Sequence, residues 1–210
     1  MSVDVHKYGG GNKGNSVCLF KTEALRQATY MPSWDGCEGL YVTPTIQGSR
    51  SGATIAACWS TLMYNGEEGY DKVARNHVAV MEEAKKAVAG IEGLELLTVP
   101  DAAILPMVAS AGSKIDIYVV ASEMEKRGWN LFTGQSPPCL GLCVGDVHLK
   151  MLGAWIKDMQ EAVAFVRTNP GAKASGNAAV YGSASTIPDD LLDGILRSYV
   201  DISLSVKEKK

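Results

Sequence analysis

The chain has 210 residues, 46% hydrophobic and 20% charged, which is enough to bury a core and excludes a peptide-like or wholly disordered chain. Its 20 Lys and Arg against 23 Asp and Glu leave a net charge of -3, which gives no electrostatic footprint for DNA or RNA. Five cysteines without a Cys-x-x-Cys pair (Cys18, Cys37, Cys58, Cys139, Cys143) read as free thiols in a reducing compartment; with no signal peptide at the start and no apolar run of the ~18 residues needed to span a bilayer, the chain reads as soluble.

Residues 2–7 (Ser2-Val3-Asp4-Val5-His6-Lys7) alternate like a strand already under way, as in a chain that opens inside a larger fold. Gly9, Gly10, Gly11 and Gly14 make a loop, and residues 16–20 read as a second strand beside the first. From Gly52 to Gly93 the period becomes helical. Ala56, Trp59, Ser60 and Met63 share one face of a first helix; Tyr70, Val73, Ala74, His77, Val80, Met81, Ala84 and Val88 line a second, stopped by Gly90 and Gly93. His77 is a histidine of that stripe or its edge, not a ligand.

Strands follow at 94–99 and 104–108 around Pro100-Asp101. Asp116 caps a helix through Ile117, Val120, Ala121 and Met124 that Gly128 ends. Strands near 129–133 and 139–144 precede a long helix with Val147, Met151, Trp155, Met159, Ala162 and Val166 inward, stopped before Pro170. Cys139 and Cys143 are packing thiols of their strand, and no metal site is expected. This ββαββα order defines a compact α+β unit, an antiparallel sheet with helices on one face, and places a domain boundary near residue 90. Residues 170–187 are small and polar and read as a surface loop. A last helix follows, with Pro188 in its first turn and Leu191, Leu192, Ile195, Leu196 and Tyr199 on its face; Lys207 to Lys210 trail into solvent.

Reactive side chains concentrate before residue 53. Lys7 shares strand parity with Val3 and Val5, so a regular strand would bury its ammonium and favour the neutral, nucleophilic amine of a Schiff-base lysine; an edge-strand lysine escaping to solvent is the alternative. The glycines permit a reversal that returns Lys13 toward Lys7, to act on the amine or on a phosphate, or else leave Lys13 on an exposed turn.

Asp4-Val5-His6-Lys7-Tyr8-Gly9 with Lys13-Gly14 resembles the cofactor-lysine segment of the sphingosine-1-phosphate lyases, within the pyridoxal-phosphate group II decarboxylase family. Residues 41–52 (Tyr41-Val42-Thr43-Pro44-Thr45-Ile46-Gln47-Gly48-Ser49-Arg50-Ser51-Gly52) are similar to that family's Gly-Ser-Arg loop. Ala57-Cys58-Trp59, Ile115-Asp116-Ile117-Tyr118, Gly128-Trp129-Asn130-Leu131, Pro137-Pro138, Asn169-Pro170 and Tyr181-Gly182 continue the match in order, over almost the whole chain.

The resemblance implies fold type I of the pyridoxal-phosphate enzymes, α/β plus α+β, as a C-terminal portion: residues 1–90 the end of the cofactor-binding large domain with its linking helices, 91–210 the small C-terminal domain. It implies a lyase that cleaves phosphorylated long-chain bases to a long-chain aldehyde and phosphoethanolamine. Its cofactor is pyridoxal 5'-phosphate, carried by Lys7, with His6 on the cofactor phosphate, Lys13 supporting catalysis, and Ser49 reaching the cofactor phosphate of the other subunit of a homodimer with shared sites. Arg50 is a candidate for the substrate phosphate or a structural tie for its own loop. It also implies a cytosol-facing protein, anchored at the endoplasmic reticulum where eukaryotic relatives carry an N-terminal anchor. An amino-acid decarboxylase and a non-catalytic remnant kept for dimer contacts are the alternatives. Two departures stand out. Gly10-Gly11-Asn12 replaces the family's Tyr-Ala-Pro, which loosens the loop that aims Lys13; and the groups that in relatives pair with the ring nitrogen and stack on the ring precede the lysine, which here has six residues before it.

Overall fold

The computed structural model describes residues 1–37, 39–184 and 186–205; the basic tail Lys207 to Lys210, expected in solvent, lies outside the described residues. Contacts divide the chain into two compact units, Met1–Lys72 and Val73–Lys210.

The first unit opens on β1 (Ser2–Val3), paired antiparallel with β2 (Val17–Cys18) in the register Ser2↔Cys18. These are the two adjacent strands expected, but β1 is shorter than residues 2–7. The chain leaves it at Asp4 for a turn in which the Lys7 amide donates to the Asp4 carbonyl at 3.0 Å. A short helix α1 (Glu23–Gln27), capped by the Thr22 hydroxyl, leads to a second antiparallel pair, β3 (Met31–Ser33) with β4 (Tyr41–Thr43).

Helix α2 (Gly52–Ala89) is the helical pair read from the sequence, run together and broken at Gly66, whose φ of 61° and ψ of -174° belong to a region essentially reserved for glycine. The first expected face, Ala56, Trp59, Ser60 and Met63, is exposed; Cys58 is the side chain this segment buries. A period marks an apolar stripe without saying what covers it, and among the described residues this unit buries only Val5, Thr43 and Cys58. Gly66→Ala would place a Cβ in that conformation and is expected to destabilise the fold by about 1–3 kcal/mol, seen as a lower denaturant midpoint at unchanged slope. A more stable variant would mean that the break closes into a continuous helix, where alanine outperforms glycine.

The second unit is built on a four-stranded antiparallel sheet of β5 (Leu94–Leu96), β6 (Ile104–Ala109), β7 (Phe132–Gln135) and β8 (Pro138–Cys143), in the order β5-β6-β8-β7. Its register puts Leu96 opposite Met107, Met107 opposite Leu140, and Leu105 opposite Leu142. Because side chains alternate across a strand, this aligns one apolar face. That face is covered by α3 (Ile117–Lys126), α4 (His148–Thr168) and the later turns of α2, through Val80, Met81, Ala84 and Val88, around a fully buried Trp155. The packing of those α2 residues is why the compact units divide inside the helix, earlier than the boundary expected near residue 90. On the opposite face the Phe132 ring lies over Gly141, where a Cβ would stand 2.1 Å from it.

Asp116 caps α3 as expected, accepting from the amides of Tyr118 and Val119. His77 is nearly buried, with Nε2 3.3 Å from the Asp146 carboxylate. Three expectations are corrected. In the first turn of α4, His148 and Leu152 face inward while Val147 and Met151 are exposed, because Val147 precedes the helix and the stripe begins one residue later. Residues 170–187, expected as loop, contain helix α5 (Gly176–Ala184). Its small side chains allow close approach to α3: Ala178 is buried, a Cβ on Gly182 would lie 3.2 Å from the Tyr118 ring, and the Ser122 hydroxyl accepts from the Ser175 amide at 2.9 Å. Helix α6 (Asp189–Leu204) forms with Pro188 just before its first turn, yet buries none of its face; Leu192 is half-buried and Leu191, Ile195, Leu196 and Tyr199 are exposed. Among the described residues no helix is long and apolar enough to cross a membrane.

Candidate active site

Every candidate site residue lies in the first unit. The turn at residues 4–11 is tied by three backbone bonds: Lys7 amide to Asp4 carbonyl (3.0 Å), Gly10 amide to Lys7 carbonyl (3.0 Å) and Gly11 amide to Val5 carbonyl (2.9 Å). Val5 is the buried pivot, 3% exposed. Gly9 packs so closely on it that a Cβ would stand 2.6 Å from the Val5 carbonyl oxygen, so the glycine here is needed for approach as well as for freedom.

Lys7 does not follow the parity of Val3 and Val5. The turn ends the strand at Asp4, and the Lys7 side chain is 64% exposed, its ammonium 2.9 Å from the Asp4 carboxylate. The burial expected of it is therefore absent in this chain. Asp4, which holds the Lys7 ammonium, was not among the residues singled out from the sequence. Hydrogen bonds from the Lys7 ammonium and then the Ser16 hydroxyl hold the Asp4 carboxyl below its ordinary range. A lowered carboxyl favours the formed turn above the ordinary carboxylate range and loses that effect as pH falls through it.

His6 points into an open cleft of about 960 Å³ shared with Asn15, Thr45, Gln47, Arg50, Ser51 and Thr54. Its Nδ1 is 3.4 Å from the Asn15 carbonyl oxygen, and Asn15 in turn donates to the Thr54 carbonyl in the first turn of α2 at 2.6 Å. Arg50 donates to the Thr45 hydroxyl, so it ties its own loop and still presents other donors of its fork to the cleft. Among the described residues no carboxylate lines this cleft. Hydroxyls, amides, an imidazole and a guanidinium are a donor set for a phosphate. The structure thus brings His6 and Arg50 into one cleft. Ser49 is exposed on the same loop as Arg50 but outside the lining, and Lys13 is exposed beyond the glycines, also outside it. Among the described residues no three His, Cys, Asp or Glu side chains group as a metal site.

No family model matches the chain. It is 35% identical over 202 residues to a sphingosine-1-phosphate lyase of Arabidopsis thaliana, covering 96% of this chain and 37% of the relative. With the Dictyostelium discoideum lyase of the same name it is 36% identical over 208 residues, covering 96% and 38%. The solved structure of a Burkholderia pseudomallei sphingosine-1-phosphate lyase superposes with a TM-score of 0.81 at 27% identity, over 98% of this chain and 42% of that one. Lactobacillus brevis glutamate decarboxylase superposes at 0.63 with 16% identity, a likeness of fold alone. The architecture is that of fold type I pyridoxal-phosphate enzymes, the end of the large domain followed by the small C-terminal domain. Within that class the chain matches a C-terminal portion of the sphingosine-1-phosphate lyases, and it spans little more than a third of the length of the curated relatives.

Proposed function

We propose that this chain forms part of a pyridoxal-phosphate-dependent lyase that cleaves a phosphorylated long-chain base to a long-chain aldehyde and phosphoethanolamine. The observation that carries the reading is the His6-Lys7 turn next to a cleft whose described lining holds anion donors and no carboxylate. Pyridoxal 5'-phosphate asks for one amine and a set of phosphate donors, and these residues fit both requirements. When bound, the cofactor supplies the electron acceptor that lets the bond between the amine-bearing and hydroxyl-bearing carbons of the substrate break.

The side chains divide the remaining work. Lys7 supplies the amine that holds the cofactor, for which its ammonium must leave Asp4 and lose a proton. His6, steadied by Asn15, faces the cofactor phosphate. Arg50 offers a fork suited to the substrate phosphate, and Lys13 adds a mobile positive charge. Ser49, exposed at the tip of its loop, serves the cofactor phosphate of a second copy, so that the working form is a homodimer with shared sites.

The complete polypeptide, supplied with pyridoxal phosphate and a phosphorylated long-chain base, is expected to release aldehyde and phosphoethanolamine in equal amounts. Carbon dioxide from an amino acid, with no aldehyde, would replace this reading by a decarboxylase. Cofactor bound without either product would make the chain a non-catalytic remnant.

A further inference from the structure

We infer that Tyr70 is a positioning residue for Lys7, a role that rests on Lys7 being the cofactor lysine. The phenol donates to the Gly9 carbonyl at 2.8 Å, bridging 61 residues of sequence. Gly9 is the second residue after Lys7 and opens a run of three glycines, with Gly10 at a φ of 67°. Such a run would sample many conformations if left to itself. Its internal ties are backbone bonds within residues 4–11, and these can open together. A bond from outside the loop removes that freedom.

The hydroxyl is itself aimed. Asn65 Nδ2 lies 3.4 Å from the Tyr70 oxygen and donates to the Thr61 carbonyl at 2.9 Å. An amide nitrogen can only donate, so the phenol oxygen accepts from Asn65 and its own proton is left for Gly9. Residues 65 and 70 flank the break at Gly66, so the break puts Asn65 and Tyr70 on two segments that meet over the glycine turn. Earlier on α2, Thr54 receives Asn15, the residue whose carbonyl steadies His6. One helix therefore grips the loop at two points, residues 9 and 15, and the His6-Lys7 pair leads into the first. Catalysis that depends on an amine held within a fraction of an ångström needs such a mount, because misplacement near 1 Å is worth up to about a hundredfold in rate.

The test is Tyr70→Phe, which keeps the ring and removes the donor. In the complete polypeptide without cofactor, the Gly10 and Gly11 amides are expected to exchange hydrogen about fivefold faster, the effect of one lost hydrogen bond, with exchange in β6 and β8 unchanged. In the loaded enzyme the induced circular dichroism of the bound cofactor should diminish and kcat fall about tenfold, with KM for substrate unmoved. Unchanged exchange at Gly10 and Gly11 overturns the clamp. Faster exchange with an unaltered cofactor signal and kcat overturns the positioning role. If the wild-type protein carries no cofactor on Lys7, the functional reading and the positioning role fall together, and the exchange result decides the clamp by itself. Should Tyr70→Phe fail to fold, Asn65→Ala removes the bond that aims the hydroxyl and should move the same readouts in the same direction by about twofold; no movement in that variant overturns the inference equally.

Discussion

Lys7→Ala in the complete polypeptide is expected to abolish both the visible absorbance of bound cofactor and all cleavage. The expectation rests on chemistry and on place. A carbonyl cofactor needs a primary amine, and Lys7 is the lysine that adjoins His6, a residue of the cleft lining, whereas Lys13 lies beyond the glycine run. Lys7 directly follows His6, which lines the cleft, although its own side chain is outside that lining, and alanine leaves the turn at Asp4 intact because its bonds are made by backbone groups. Loss of function with an unaltered unfolding midpoint is therefore the expected pair of results. The exposed ion pair with Asp4 contributes little to stability. Retained absorbance, with borohydride fixing the cofactor to another lysine, would remove Lys7 from the site.

The small domain was more legible in the sequence than the site. The period of Ile117, Val120 and Met124, the cap at Asp116 and the stop at Gly128 specify α3 because each signal is local and they agree. The paired strands β6 and β8 were equally readable, as short apolar runs at 104–108 and 139–144. Lys7 shows where alternation ceases to report burial. Alternation predicts burial only while a strand continues, and one backbone bond from Lys7 to Asp4 ends it and sends the side chain outward. Helix α5 escaped because its composition, Gly176-Asn177-Ala178-Ala179, has no amphipathic signal; it is held by close packing on Tyr118 and Ser122, which are distant in sequence. The clamp from Tyr70 was hidden for the same reason, a single contact across 61 residues. The exposed stripes on α6 and on residues 56–63 make the converse point, that periodicity reports an apolar face and is silent about its partner.

Mixing two inactive variants should restore activity if sites are shared between copies. Ser49 stands exposed on a loop where Gly48 and Gly52 bracket it and Arg50 ties back to Thr45, and it is outside the lining of its own cleft. A hydroxyl so placed is suited to the phosphate end of a neighbouring copy's site. Ser49→Asp sets a carboxylate against that phosphate and should abolish activity, while Lys7→Ala abolishes it from the other side. After verified subunit exchange about half the dimers are mixed, and each mixed dimer holds one site with both an intact Lys7 and an intact Ser49. Activity near a quarter of wild type is then expected, from statistics alone. If each site were built within one chain, no combination would contain both groups, and the mixture would stay as inactive as its parents. That result would return Ser49 to its own loop and end the shared-site reading. It would leave Lys7 untouched, since the absorbance lost in Lys7→Ala depends on the amine of one chain only.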